Sequence, residues 1–62
     1  MRENVLIEND IGIIVGYLRN KWTVRFPLLF DEDGIMTLKD YPLSNIMQGI
    51  ADYNEVFKSR SI

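Results

Sequence analysis

The chain has 62 residues, a net charge of −2, no cysteine and no histidine. Those two absences exclude disulfides, the common Cys/His zinc sites, a histidine acid or base near neutral pH and a thiol nucleophile. A domain of this size hides only about 60% of its unfolded surface, yet 47% of the residues are apolar, so a larger protein or a second copy is expected to cover part of it.

The first element in chain order is a short strand over residues 4–8, NVLIE, followed by a turn at Asn9-Asp10. A second strand runs from Ile11 to Leu18 and carries Gly12 and Gly16 on the face opposite Ile11, Ile13, Val15 and Tyr17. Paired glycines inside a strand predict bending or the close approach of another backbone. Trp22, Val24, Phe26, Leu28 and Phe30 share one parity in the next strand, with Arg19-Asn20-Lys21 as the reversal. Two period-2 apolar runs joined by a polar break read as a hairpin with one buried face. With Asn20-Lys21 as the loop, Tyr17 faces Val24, Val15 faces Phe26 and Ile13 faces Leu28. Every pair is then apolar on a single face, whereas a one-residue slip would turn one strand over.

Pro27 cannot donate to a ladder and marks an edge, a bulge or a strand switch. Asp31-Glu32-Asp33-Gly34 forms a tight turn into a further strand over Ile35 to Tyr41. After Tyr41-Pro42-Leu43-Ser44-Asn45 two readings stand. Ile46, Ile50, Tyr53 and Phe57 have helical spacing, which gives an amphipathic helix from about Asn45 to Lys58. Gly49 costs a helix interior about 1 kcal/mol relative to Ala, so a helical turn over 42–45 and a strand over 47–51 is the competing reading. Lys58-Ser59-Arg60-Ser61 reads as a frayed tail. The whole chain, 1–62, is one domain.

The segments Gly12-Ile13-Ile14-Val15-Gly16 and Trp22-Thr23-Val24-Arg25-Phe26, followed by Tyr41-Pro42-Leu43-Ser44-Asn45-Ile46, resemble the first hairpin and the late helical turn of small SH3-like barrels. The likeness is to those of the KOW type and to small photosynthetic accessory subunits. It implies a mostly β fold, a partly open SH3-like barrel of four to five antiparallel strands with a short C-terminal helix. The aromatic-rich groove of peptide-binding SH3 domains has no counterpart here, so the resemblance implies an architecture and no ligand.

No residue set points to catalysis, and no enzyme activity or cofactor is expected. The acids of Asp31-Glu32-Asp33 read as a solvated loop, because a calcium loop would need a bidentate Glu about a dozen residues from its start, and Lys39 falls near there. The greasy segment Phe26-Pro27-Leu28-Leu29-Phe30 has an apolar residue, Leu29, where a half-buried strand would be polar. It is expected to mark a protein-binding surface with Trp22, Pro27, Leu29 and Phe30 as apolar anchors and Arg25 as a directional polar contact. Such a chain is a small non-enzymatic binding module: an adaptor, an accessory subunit or an inhibitor of a larger protein. The alternative is a nucleic-acid-binding regulator that uses Tyr17, Arg19, Lys21 and Arg25 for stacking and phosphate contacts, against which the negative net charge weighs. The longest apolar run is too short to span a bilayer and the acidic start is unlike a secretory signal, so a cytoplasmic location is the expectation.

Overall fold

The computed structural model describes residues 3–58. Four strands, β1 (Asn4–Ile7), β2 (Asp10–Leu18), β3 (Lys21–Phe30) and β4 (Met36–Tyr41), precede helix α1 (Leu43–Tyr53), which continues into a π-helical stretch, Asn54–Lys58. The strands pair in chain order as an antiparallel meander in one open sheet. The mostly β class with four antiparallel strands and a short C-terminal helix is therefore as the sequence indicates. The expected tail beyond Lys58 lies outside the described residues.

The first two reversals are two-residue hairpin turns. Glu8 and Asn9 have φ of 52° and 67°, and Arg19 and Asn20 have φ of 53° and 65°. Positive φ at both central positions matches the right-handed twist of the flanking strands, and asparagine tolerates it well. The third reversal is built by Asp31. Its Oδ1 accepts from the backbone N–H of Asp33 at 2.9 Å and of Ile35 at 2.8 Å. Gly34, at φ 78°, occupies the left-handed position that closes the turn.

The register of β2 on β3 corrects the pairing expected from the sequence. The turn is Arg19-Asn20, not Asn20-Lys21, so Tyr17 lies opposite Trp22. Further along, Val15 is an extra residue: Ile14 faces Val24 and Gly16 faces Thr23. A bulge of this kind reverses the alternation beyond it. Ile14 thus shares the face of Val24 and Phe26. Ile13, opposite Arg25, and Ile11, opposite Leu6, lie on the other face, and the common interior expected for Ile11, Ile13, Val15 and Phe26 does not form.

Gly12 supplies the physical reason. It is buried on the inner face opposite Val5, and a Cβ there would collide with Val24 Cγ1 and come within 3.1 Å of the Phe26 ring. The notch in β2 is what admits the largest core side chain. What approaches this glycine is a pair of side chains, not a backbone.

Helix α1 settles the two readings of the C-terminal segment. Ile46 is fully buried and completes the core with Val5, Val24 and Phe26, while Ile7, Ile14, Trp22, Leu29, Tyr41 and Ile50 pack around it. Gly49 faces Val5 Cβ, Ile7 Cγ1 and the Leu6 carbonyl at 3.1 to 3.4 Å from where its own Cβ would be. The glycine that weakens the helix locally is the residue that lets α1 lie close on β1. Past Tyr53 the π-helical stretch brings Phe57 to the surface, its ring 4.7 Å from that of Tyr53.

Gly12→Ala is expected to destabilise the fold by about 1–3 kcal/mol through overpacking, read as a lower urea midpoint at unchanged slope. Gly16→Ala, where nothing lies within 4 Å of an added Cβ, is expected to leave the midpoint nearly in place.

Candidate protein-docking surface

The sheet separates the residues expected to act together. Trp22 is half-buried on the inner face against the core, opposite Tyr41. Its ring lies 4.5 Å from that of Tyr17. Leu29 also packs on the core. Pro27 is half-buried in the stretch between Phe26 and Phe30 where the ladder to β4 loses register, as its missing N–H requires. Arg25 stands on the outer face opposite Ile13 and Leu38. Phe30 pairs with Met36, whose alternation with Leu38 puts it on that same outer face. Of the four expected anchors and their polar partner, then, Arg25 and Phe30 share a face, whereas Trp22 and Leu29 line the interior.

The irregularity at Pro27 pushes other apolar groups into solvent. Leu28 is 75% exposed, Phe30 58% and Ile35 63%. Leu28 and Ile35 are additions to the expected surface. The period-2 reading assigned Leu28 to the buried face, and only the proline two residues after Val24-Arg25 signals that the alternation ends there. These three side chains bracket the exposed acidic turn Asp31-Glu32-Asp33. The end of the β3–β4 hairpin is therefore apolar and negatively charged together, on a backbone held by Asp31.

The residues of the alternative reading are divided in the same way. Arg19 and Lys21 are exposed at the β2–β3 turn beside Tyr17, whose hydroxyl donates to Asn20 Oδ1 at 3.0 Å. Arg25 lies on the opposite face from Tyr17 and cannot join them.

A shallow cleft of about 340 Å³ runs between the β1–β2 turn and α1, lined by Leu6, Glu8, Asn9, Asp52, Glu55 and Val56. A neighbouring hollow reaches Tyr41. Burial raises the Tyr41 pKa above its ordinary value, and the negative charges of Glu8 and Asp10 raise it further. No group of three or more acids among the described residues is arranged to hold a metal ion, and no helix among them is long and apolar enough to cross a membrane.

Comparison with protein-family models, curated proteins and solved structures gives no match.

The Tyr41 environment has a consequence for stability. A phenol that holds its proton more tightly when folded stabilises the fold below the unfolded pKa of about 10; that contribution disappears as pH rises through the higher folded value. Tyr41→Phe is expected to lower the loss of stability above pH 10, read from urea midpoints against pH. Identical alkaline slopes for the two proteins would contradict this.

Proposed function

We propose that this chain is a non-enzymatic protein-binding module, an adaptor, accessory subunit or inhibitor that acts by occupying a surface of a larger protein in the cytoplasm. One observation carries the reading: Leu28, Phe30 and Ile35 stand exposed around the Asp31-Glu32-Asp33 turn. A small protein holds three large apolar side chains in water at a substantial cost, and exposed clusters of this kind mark interaction sites. Their acidic border adds a second requirement, namely an apolar pocket in the partner rimmed by lysine or arginine. Phe30 is the central anchor, since aromatic groups dominate binding energies. The Asx-type hydrogen bonds of Asp31 hold the loop in shape before binding and so limit the entropy lost on docking.

The rival reading is a nucleic-acid-binding regulator. It draws support from Tyr17, exposed beside Arg19 and Lys21 at the tip of the β2–β3 hairpin, an aromatic with two cations. The net charge of −2 and the contact of the Tyr17 ring with Trp22 weigh against it.

The two readings separate in one set of binding measurements. Immobilised wild-type protein is expected to retain a partner from a lysate of its source cells. Phe30→Ser, and the double variant Leu28→Ser/Ile35→Ser, are expected to weaken that retention at least tenfold, a loss of about 1.4 kcal/mol. Exposed substitutions of this kind change stability by about 0.5 kcal/mol or less, so the thermal midpoint serves as the control. Undiminished retention by both variants contradicts the proposal. Binding to single-stranded oligonucleotides that falls steeply between 50 and 200 mM salt, a range over which phosphate contacts weaken by orders of magnitude, would establish the rival instead.

A further inference from the structure

The outer face of the sheet presents a separate problem. Helix α1 covers the face of Val5, Val24 and Phe26, and none of the described elements covers the other. That second face carries Ile11, Ile13, Leu38 and Met36, with Leu38 59% exposed. A sheet with one solvated face alternates apolar and polar residues, and this one carries large apolar side chains on both faces.

In the middle of that face stands Arg25, between Ile13 on β2 and Leu38 on β4. Its Nε is buried and has no acceptor. A guanidinium set between apolar side chains calls for a carboxylate within an apolar surround. The same face supplies one. Asp40 lies opposite Thr23, two residues along the ladder from the Arg25–Leu38 pair, so both charges project to the outer side. Thr23 Oγ1 donates to Asp40 Oδ1 at 2.7 Å, which fixes the carboxylate and leaves Oδ2 for another donor.

We propose that two copies of this chain associate through their outer sheet faces, Arg25 of each copy pairing with Asp40 of the second copy. A face that carries Lys21, Arg25 and Asp40 on an apolar ground, with Arg25 and Asp40 as diagonal neighbours, is complementary to itself. A two-fold axis lying between the copies, midway between the two side chains, exchanges their positions and forms both ion pairs at once. Such reciprocal contacts define the isologous interface of a two-fold dimer, the commonest closed assembly. The product is four layers, helix, sheet, sheet, helix, in which each sheet has both faces covered. The terminal guanidinium nitrogens of Arg25 meet the carboxylate in charge-assisted hydrogen bonds. Within the chain, Arg25 and Asp40 are not paired; Asp40 is held by Thr23 instead. Phe30, paired with Met36, sits at the edge of this same face, but the charge contacts at Arg25 and Asp40 leave Leu28, Phe30 and Ile35 unchanged, so each surface has its own test.

Sedimentation equilibrium on the full chain tests the proposal. Wild type is expected to reach twice the chain mass as concentration rises. Arg25→Asp and Asp40→Arg, each placing like charges across the axis, are expected to weaken association at least tenfold. Mixed in equal amounts, these two variants have opposite charges at both contacts, and the dimer mass is expected to return. A general loss of folding could not produce that recovery. Wild type that stays monomeric throughout, a dimer indifferent to both charge reversals, or a mixture that remains monomeric would each overturn it. Because lysate retention is scored on Phe30, Leu28 and Ile35, a failure here leaves that result standing, and the reverse holds.

Discussion

The fold depends on the fit of Val24 and Phe26 over Gly12. A strand neighbour with any side chain at position 12 would lift Phe26, the one aromatic among the fully buried side chains of the described residues, away from β2. Because that notch is on the inner face, Ile11 and Ile13 are on the outer one. The bulge at Val15 then reconciles two demands: a two-residue turn at Arg19-Asn20 that sets the Tyr17 ring at a tilt against Trp22, and a register further along that puts Ile14 beside Val24. Each of these features follows from a space that a side chain must occupy.

Helix α1 completes the same logic from the other side. Its contribution to the fully buried core is a single residue, Ile46, inserted among Val5, Val24 and Phe26. It can reach that depth because Gly49 lets the helix lie against β1. With four fully buried apolar side chains among the described residues, the interior is small for a chain this rich in apolar residues. The surplus appears at two surfaces, the outer sheet face around Arg25 and the end of the β3–β4 hairpin. A protein this size without disulfides has little stability to spare. Surfaces that bind on assembly add stability by mass action, so the same side chains serve function and folding.

Period-2 alternation in Trp22, Val24 and Phe26 was enough to read β3 and its inner face, and Asp31-Gly34 was readable as a turn from its residue types. Helical spacing of Ile46, Ile50 and Tyr53 and the cost of Gly49 leave helix and strand equally open for this segment; a local propensity cannot reveal that the missing Cβ is needed by Val5 and Ile7 on a strand more than forty residues earlier. The facing of β2 was not legible. By alternation alone its faces are Ile11-Ile13-Val15 and Gly12-Ile14-Gly16; they differ in bulk, and bulk points to the wrong one, because the Val15 bulge moves Gly16 across. Core space was scarce enough that the strand presents its smaller face to Phe26. The same inversion hid the outer surface: Ile13 and Leu38 become neighbours of Arg25 only once the register is known.

The account turns on which face of β2 meets Phe26, and proton contacts report that directly. In a nuclear Overhauser spectrum of the folded protein, the Phe26 ring protons should show cross-peaks to the Gly12 α-protons and the Ile46 methyls. Cross-peaks from that ring to the methyls of Ile13 or Val15, with none to Gly12, would contradict the packing described and the outer face that follows from it.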